Sequence, residues 1–137
     1  MKLLLTLLLA LFLGGTATAA VFPTPIPEVI VANGYQVAGT GAPGATVVSY
    51  TPRTDQVLCV RVAVSIKTAD TVTVNVTYTR AIDSVAQTVA IINALAESTN
   101  TDDSASHCLN AKANTTVTVK LVSASTTTAS GTILRDR

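Results

Sequence analysis

The sequence predicts an all-β chain folded as a two-sheet antiparallel sandwich, jelly-roll or immunoglobulin-like, of seven or eight short strands. Two observations lead there. The first is a period of two. Leu58, Val60, Val62, Val64 and Ile66 alternate with Cys59, Arg61, Ala63, Ser65 and Lys67, and Val72, Val74, Val76 and Tyr78 alternate with Thr71, Thr73, Asn75, Thr77 and Thr79. β-branched residues on one side only suit half-buried strands. The second is punctuation: turn signals recur roughly every ten residues along the chain. The two alternating rows are expected to form a central hairpin, Val57 to Arg80, with Thr68-Ala69-Asp70 as its loop. That loop sets Ile66 opposite Val72, Val64 opposite Val74 and Val62 opposite Val76, whereas a two-residue loop turns an apolar face to water.

The chain before the hairpin divides in two. Met1-Lys2, the apolar run Leu3–Leu13 and Ala17-Thr18-Ala19 have the three parts of a secretory signal peptide, residues 1–19. Residues 20–45 are expected to be a Pro/Gly-rich N-terminal arm. It opens on Phe22-Pro23-Thr24-Pro25-Ile26-Pro27, a polyproline-like segment unable to donate regular ladder hydrogen bonds. Glu28–Ala32 is a short strand stopped by Asn33-Gly34, Tyr35–Ala38 a weak second one, and Gly39–Gly44 a loop. The sandwich itself is expected over residues 46–137, entered by Thr46–Tyr50.

After the hairpin, Ala81–Ser84 is a turn and Val85–Ile92 reads as strand, with an amphipathic helix over Ser84–Ala96 as the alternative. Ser98–Ser106 reads as a polar loop. Cys108–Ala111 and Thr115–Val122 are strands joined by a tight Lys112-Ala113-Asn114 turn. Ser123–Ser130 reads as loop or ragged edge, and Gly131–Leu134 as the last strand.

Composition narrows the function. Without Lys2 the basic and acidic residues balance at eight each, so no patch exists to hold a phosphate backbone and nucleic acid is not an expected partner. A near-neutral surface rich in hydroxyls favours self-association. The two cysteines, Cys59 and Cys108, suggest one disulfide in an exported chain. Cys59 falls on the polar side of its strand, which points to a surface bridge from strand to loop.

Three stretches, SYTPRTDQVLCVRVAVSIKT (from Ser49), DTVTVNVTYTRAIDSVAQT (from Asp70) and LNAKANTTVTVKLVS (ending at Ser123), carry a resemblance. Between Ser49 and Val122, about half the chain, the sequence resembles small β-sandwich domains of tailed-phage virion proteins, tail and capsid-decoration components. The resemblance implies a non-catalytic structural or attachment module, with no catalytic residues to transfer. Two features depart from that family's pattern: the signal-peptide-like start, and the short C-terminal strand SGTILRDR.

The chemical inventory is thin. His107 is the single histidine, and as a strand neighbour of Cys108 it points the other way, which disfavours a Cys-His nucleophile. Asp102-Asp103 lies in an oxygen-rich stretch without the spacing or glycine of a calcium loop. One histidine and two cysteines make no zinc set, and Gly39–Gly44 lacks the lysine and helix of a phosphate loop. Tyr35 and Tyr50 are the aromatics open to serve as a sugar platform, Tyr78 belonging to the core row. Asn75-Val76-Thr77 and Asn114-Thr115-Thr116 fit the N-glycosylation sequon. No metal, cofactor or enzyme activity is expected.

The expected function is a structural or attachment sandwich on a virion or cell-surface assembly, secreted or at a particle surface. Its partners are further copies, as oligomer or filament, or other structural subunits, and it meets a membrane only in transit through its signal peptide. Val29, Ile30 and Val31 are the expected assembly strand, adding to the edge of another copy. Arg61, Ser65, Lys67, Thr73, Asn75 and Thr77 are expected to share one polar face. The competing expectation is a monomeric secreted module that binds a polysaccharide or a surface protein through Gly39–Gly44 and Ser98–Ser106.

Overall fold

A computed structural model describes residues 29–38, 44–68, 70–97, 101–123 and 127–135. The expected signal peptide, the proline-rich segment 22–27 and most of the 39–44 loop lie outside them. The described chain forms eight strands: β1 (Val29–Ala38), β2 (Ala45–Tyr50), β3 (Gln56–Ile66), β4 (Asp70–Thr79), β5 (Ala86–Glu97), β6 (Thr101–Ala111), β7 (Val117–Val122) and β8 (Thr127–Arg135). They make two four-stranded antiparallel sheets, the first ordered β1-β8-β3-β6 and the second β2-β7-β4-β5. The pairs β1·β8, β2·β7, β3·β6 and β4·β5 nest inside one another, as in a long hairpin folded over itself into a jelly roll.

That wiring replaces the expected central hairpin. β3 pairs with β6 and β8, while β4 pairs with β5 and β7, so the two valine rows lie in different sheets. Leu58, Val60, Val62, Val64 and Ile66 still face inward and are buried, as are Val72, Val74 and Val76. They meet across the interior rather than side by side. Alternation determines which face a residue occupies; it says nothing of which strand lies next to it. The expected polar face splits for the same reason. Arg61 and Ser65 are on the outside of the first sheet, Thr73, Asn75 and Thr77 on the outside of the second.

Four other boundaries move. β1 runs straight through Asn33-Gly34, which forms no turn, and it is a full member of the first sheet although it falls in the stretch expected as an arm. Gly34 is there for proximity: a Cβ would stand 2.0 Å from the Val47 carbonyl oxygen. Its cross-strand partner is Gly131, where a Cβ would stand 2.8 Å from a Val48 methyl. The two glycines form a notch into which β2 presses Val47 and Val48. Both valines are buried although adjacent, because a bulge between Thr46 and Val48 breaks the alternation. Where a helix over 84–96 was the alternative, Ala86–Glu97 is strand, and Ser84 and Val85 belong to the turn before it. The expected polar loop 98–106 is β-strand from Thr101 onward, and 127–130 is the start of β8, an inner strand. Across the β7–β8 connection, the Ser123 and Thr127 hydroxyls share a buried 2.9 Å hydrogen bond.

One end of the sandwich is closely braced. In the β4–β5 turn the Arg80 amide donates to the Val85 carbonyl (3.0 Å) and the Ser84 amide to the Arg80 carbonyl (3.0 Å), with Ser84 left-handed at φ 60°. Asn114, also left-handed at φ 57°, donates its amide to the Pro52 carbonyl at 2.7 Å. The Ala113 amide reaches Asp55 at 2.6 Å, and Lys112 Nζ reaches Ser84 Oγ at 2.6 Å. Three loops are thereby joined into one unit.

Candidate functional site

The antiparallel registers arrange the outer face of the first sheet in rows that cross all four strands. One row runs Tyr35, Ser130, Ala63, Ser104. The row on one side runs Val37, Thr128, Ser65, Asp102; on the other side it runs Asn33, Thr132, Arg61, Ser106. The middle row is low because, after Tyr35, its side chains are the smallest on the sheet. On each of β8, β3 and β6 a longer side chain stands on at least one side of it (Thr128 and Thr132, Arg61, Asp102), and the result is a trough across the strands rather than along them.

Three connected grooves record it. One part, about 420 Å³, is lined by Tyr35, Ala63, Ser65, Asp102, Ser104, Thr128 and Ser130 among others. The next two, about 400 and 440 Å³, continue past Arg61 and Thr132 and past Asn33 and Tyr35. Ser130 lines all three. Tyr35 is 65% exposed, whereas Tyr50 and Tyr78 are partly buried against the core. Of the two expected sugar platforms, only Tyr35 is therefore available.

Cys59 and Cys108 stand directly opposite each other on β3 and β6, further along the same face, with Sγ atoms 2.02 Å apart and Cα atoms 4.0 Å apart. The bridge joins strand to strand, where strand to loop was expected, because β6 extends well beyond Cys108. Beside it Leu134, paired with both Cys59 and Ile30, is buried on this outer side.

The other candidates separate. His107 is a half-buried, inward-facing residue of β6 opposite Val60, and Cys108 points outward from the opposite face. Asp102 and Asp103 are strand neighbours on opposite faces, and the Asp103 carboxylate accepts the Ser104 amide at 2.7 Å. They make no joint cation site. Val29, Ile30 and Val31 lie in β1, with Val29 opposite Arg135 and Ile30 opposite Leu134 of the same chain. Asn75 is half-buried on β4 and Asn114 exposed in its turn. At the tip of the β4–β5 turn Ile82 is 88% exposed. Asp83 below it accepts hydrogen bonds from the Val85 amide and the Arg80 guanidinium. Desolvation, the largest single influence, raises its pKa, but these hydrogen bonds and the Arg80 charge together outweigh it and hold the carboxyl below the ordinary 3.8.

The trough floor was not foreseen. Alternation in the sequence shows Ala63, Ser104 and Ser130 to be outward candidates at best; that they share a row depends on registers between β3, β6 and β8.

No protein-family model matches the chain, and no curated protein matches it in sequence. Solved structures match its fold. The infectious bursal disease virus T13 particle aligns at TM-score 0.52 and 13% identity over 86% of this chain and 35% of the viral one. The Gt strain of that virus aligns at 0.51 and 12% identity, over 86% and 36%. A chain carrying the CBM22-1 and GH10 modules of Clostridium thermocellum xylanase 10B aligns at 0.45 and 14% identity, over 82% and 28%. This chain spans about a third of the length of the viral chains. At these identities the likeness is one of fold: a β-sandwich of the kind found in a viral structural protein.

Proposed function

We propose that the chain is a non-catalytic structural or attachment module that assembles with copies of itself, or with neighbouring subunits, outside the cell or at a particle surface. The observation behind this reading is β1. It is the outermost strand of the first sheet, ten residues long, and no charged residue occurs between Val29 and Ala38. Ile30, Tyr35 and Val37 are all exposed along it. Edge strands are ordinarily blunted with lysine, proline or other charge, because their free amides and carbonyls invite another strand. Among the described residues, β1 has a bulge near Ile30 and no other such protection. β1 pairs with β8 along one side from Val29 to Ala38, so the surface offered to a partner is its other side, along which Tyr35 and Val37 are exposed.

Support comes also from the fold, which is shared with chains that form viral particles, and from the tailed-phage-like motifs between Ser49 and Val122. The test is the solution mass of the protein produced from the full chain, by light scattering over a concentration series. Mass is expected to rise with concentration, and Val37→Lys, a change at an exposed edge position, is expected to return it to the monomer value. A monomer at every concentration overturns the proposal. A second reading, a module that binds a polysaccharide or a surface protein, is favoured by one observation, the trough on the first sheet.

A further inference from the structure

We infer that the trough is a binding site for a linear glycan, Tyr35 stacking on one sugar ring while Asp102 and the hydroxyls of Ser104 and Ser130 take hydrogen bonds from its neighbours. The inference rests on the binding-module reading and is independent of edge assembly.

Shape is the first argument. From Tyr35 on β1 to Ser104 on β6 the trough crosses three strand spacings, about 14 Å, room for roughly two or three sugar rings end to end. Its width, between rows two residues either side of the floor, is about 13 Å at the level of the strands, before the flanking side chains lean in. Small residues at Ser130, Ala63 and Ser104 are what keep it open.

Chemistry is the second. A sugar ring has an apolar C–H face and a rim of hydroxyls. The trough offers one exposed aromatic ring and, beyond it, hydroxyls and a carboxylate, groups that accept from and donate to sugar hydroxyls. A peptide needs something else: a free backbone edge, or apolar pockets for its side chains. Strands β8 and β3, which cross the middle of the trough, have both edges paired, and the floor side chains are Ser130, Ala63 and, on the edge strand β6, Ser104. Nothing there can hold a strand.

The experiment is calorimetric titration of the protein produced from the full chain with cellulose-, xylan-, mannan- and chitin-type oligosaccharides, with solution mass followed on the same samples. At least one is expected to bind. Tyr35→Ala should weaken binding by about tenfold or more, the loss of one stacking contact. Ser130→Tyr, which fills the floor from an exposed position, should do the same, while Thr77→Ala on the opposite sheet should not. Circular dichroism checks that each variant is folded. If none of the four probes binds, or if binding survives both trough variants, the inference is overturned. Glycan binding by a strict monomer would sink the assembly proposal and leave this one standing; assembly without glycan binding would do the reverse.

Discussion

The two sheets have the same inner code and different outer ones. Inside, each contributes a row of fully buried Val, Leu and Ile, Leu58 to Ile66 from β3 and Val72 to Val76 from β4. Outside, the second sheet is nearly uniform. Thr73, Asn75 and Thr77 on β4 lie beside Val122, Lys120 and Thr118 on β7. The first sheet is differentiated: an exposed tyrosine, a trough, a row carrying Arg61 and a disulfide. Burial demands only that the inner face be apolar and of the right volume, and it demands this of both sheets alike. The outer face is free of that demand. Where it departs from uniform hydroxyls, a second requirement is at work.

The sheets also differ in how they are held, which offers ways to break the contrast. The largest effect should come from the covalent link in the first sheet. Its cysteines are 49 residues apart, and in the chain-entropy model closing a loop of that size is worth about 4 kcal/mol. Cys59→Ser with Cys108→Ser should lower the urea midpoint accordingly, and the second sheet has no counterpart to compensate. A midpoint unchanged from the parent would show that the link is not formed in solution.

A smaller loss is expected at the glycine notch. In Gly34→Ala the added methyl meets the Val47 backbone, which cannot move aside as a side chain can, so about 3 kcal/mol is expected from overpacking. Alanine at Gly131 meets only valine methyls and should cost less. Thermal unfolding of the pair tests the order; if Gly131→Ala proves the more damaging, β2 does not sit in the notch as described.

The smallest effect belongs to the second sheet, whose β4–β5 turn is tied by Arg80 and Asp83 at the surface. Asp83 has a lowered folded pKa, so below the ordinary 3.8 the unfolded chain binds the proton more readily. Its contribution is therefore present above that value and lost as pH falls through the folded pKa. Asp83→Asn should unfold at a lower temperature than the parent at neutral pH, and the difference should close in acid. Salt should shrink it as well, the pair being exposed. A difference that persists in strong acid would assign the effect to the turn's backbone geometry.

Much of this was readable from the residues. The all-β class, the inward valine rows, the strand preference over 84–96 and the outward position of Cys59 follow from alternation and β-branching, which act within a few residues of chain. What alternation cannot reach is lateral. Two strands with matching apolar rows can lie side by side in one sheet or face to face in two. Only the nested pairing distinguishes them, and it pairs residues as distant as Val29 and Arg135. Parts of two strands were hidden for a related reason. Thr127 and Ala129 of β8 face the interior but are small and lie in a Ser/Thr-rich stretch, so they read as loop; Thr101–Ser106 lies on an edge strand, half-buried on its inner face and exposed on its outer one, and reads as polar. The trough belongs to the same class. The residues along β1, β3, β6 and β8 determine which side chains point outward, but a floor exists only because two registers, β3 with β8 and β3 with β6, bring Ser130, Ala63 and Ser104 into line. Register is a property of the assembled sheet, set by turns, bulges and the buried rows together, and no single segment contains it.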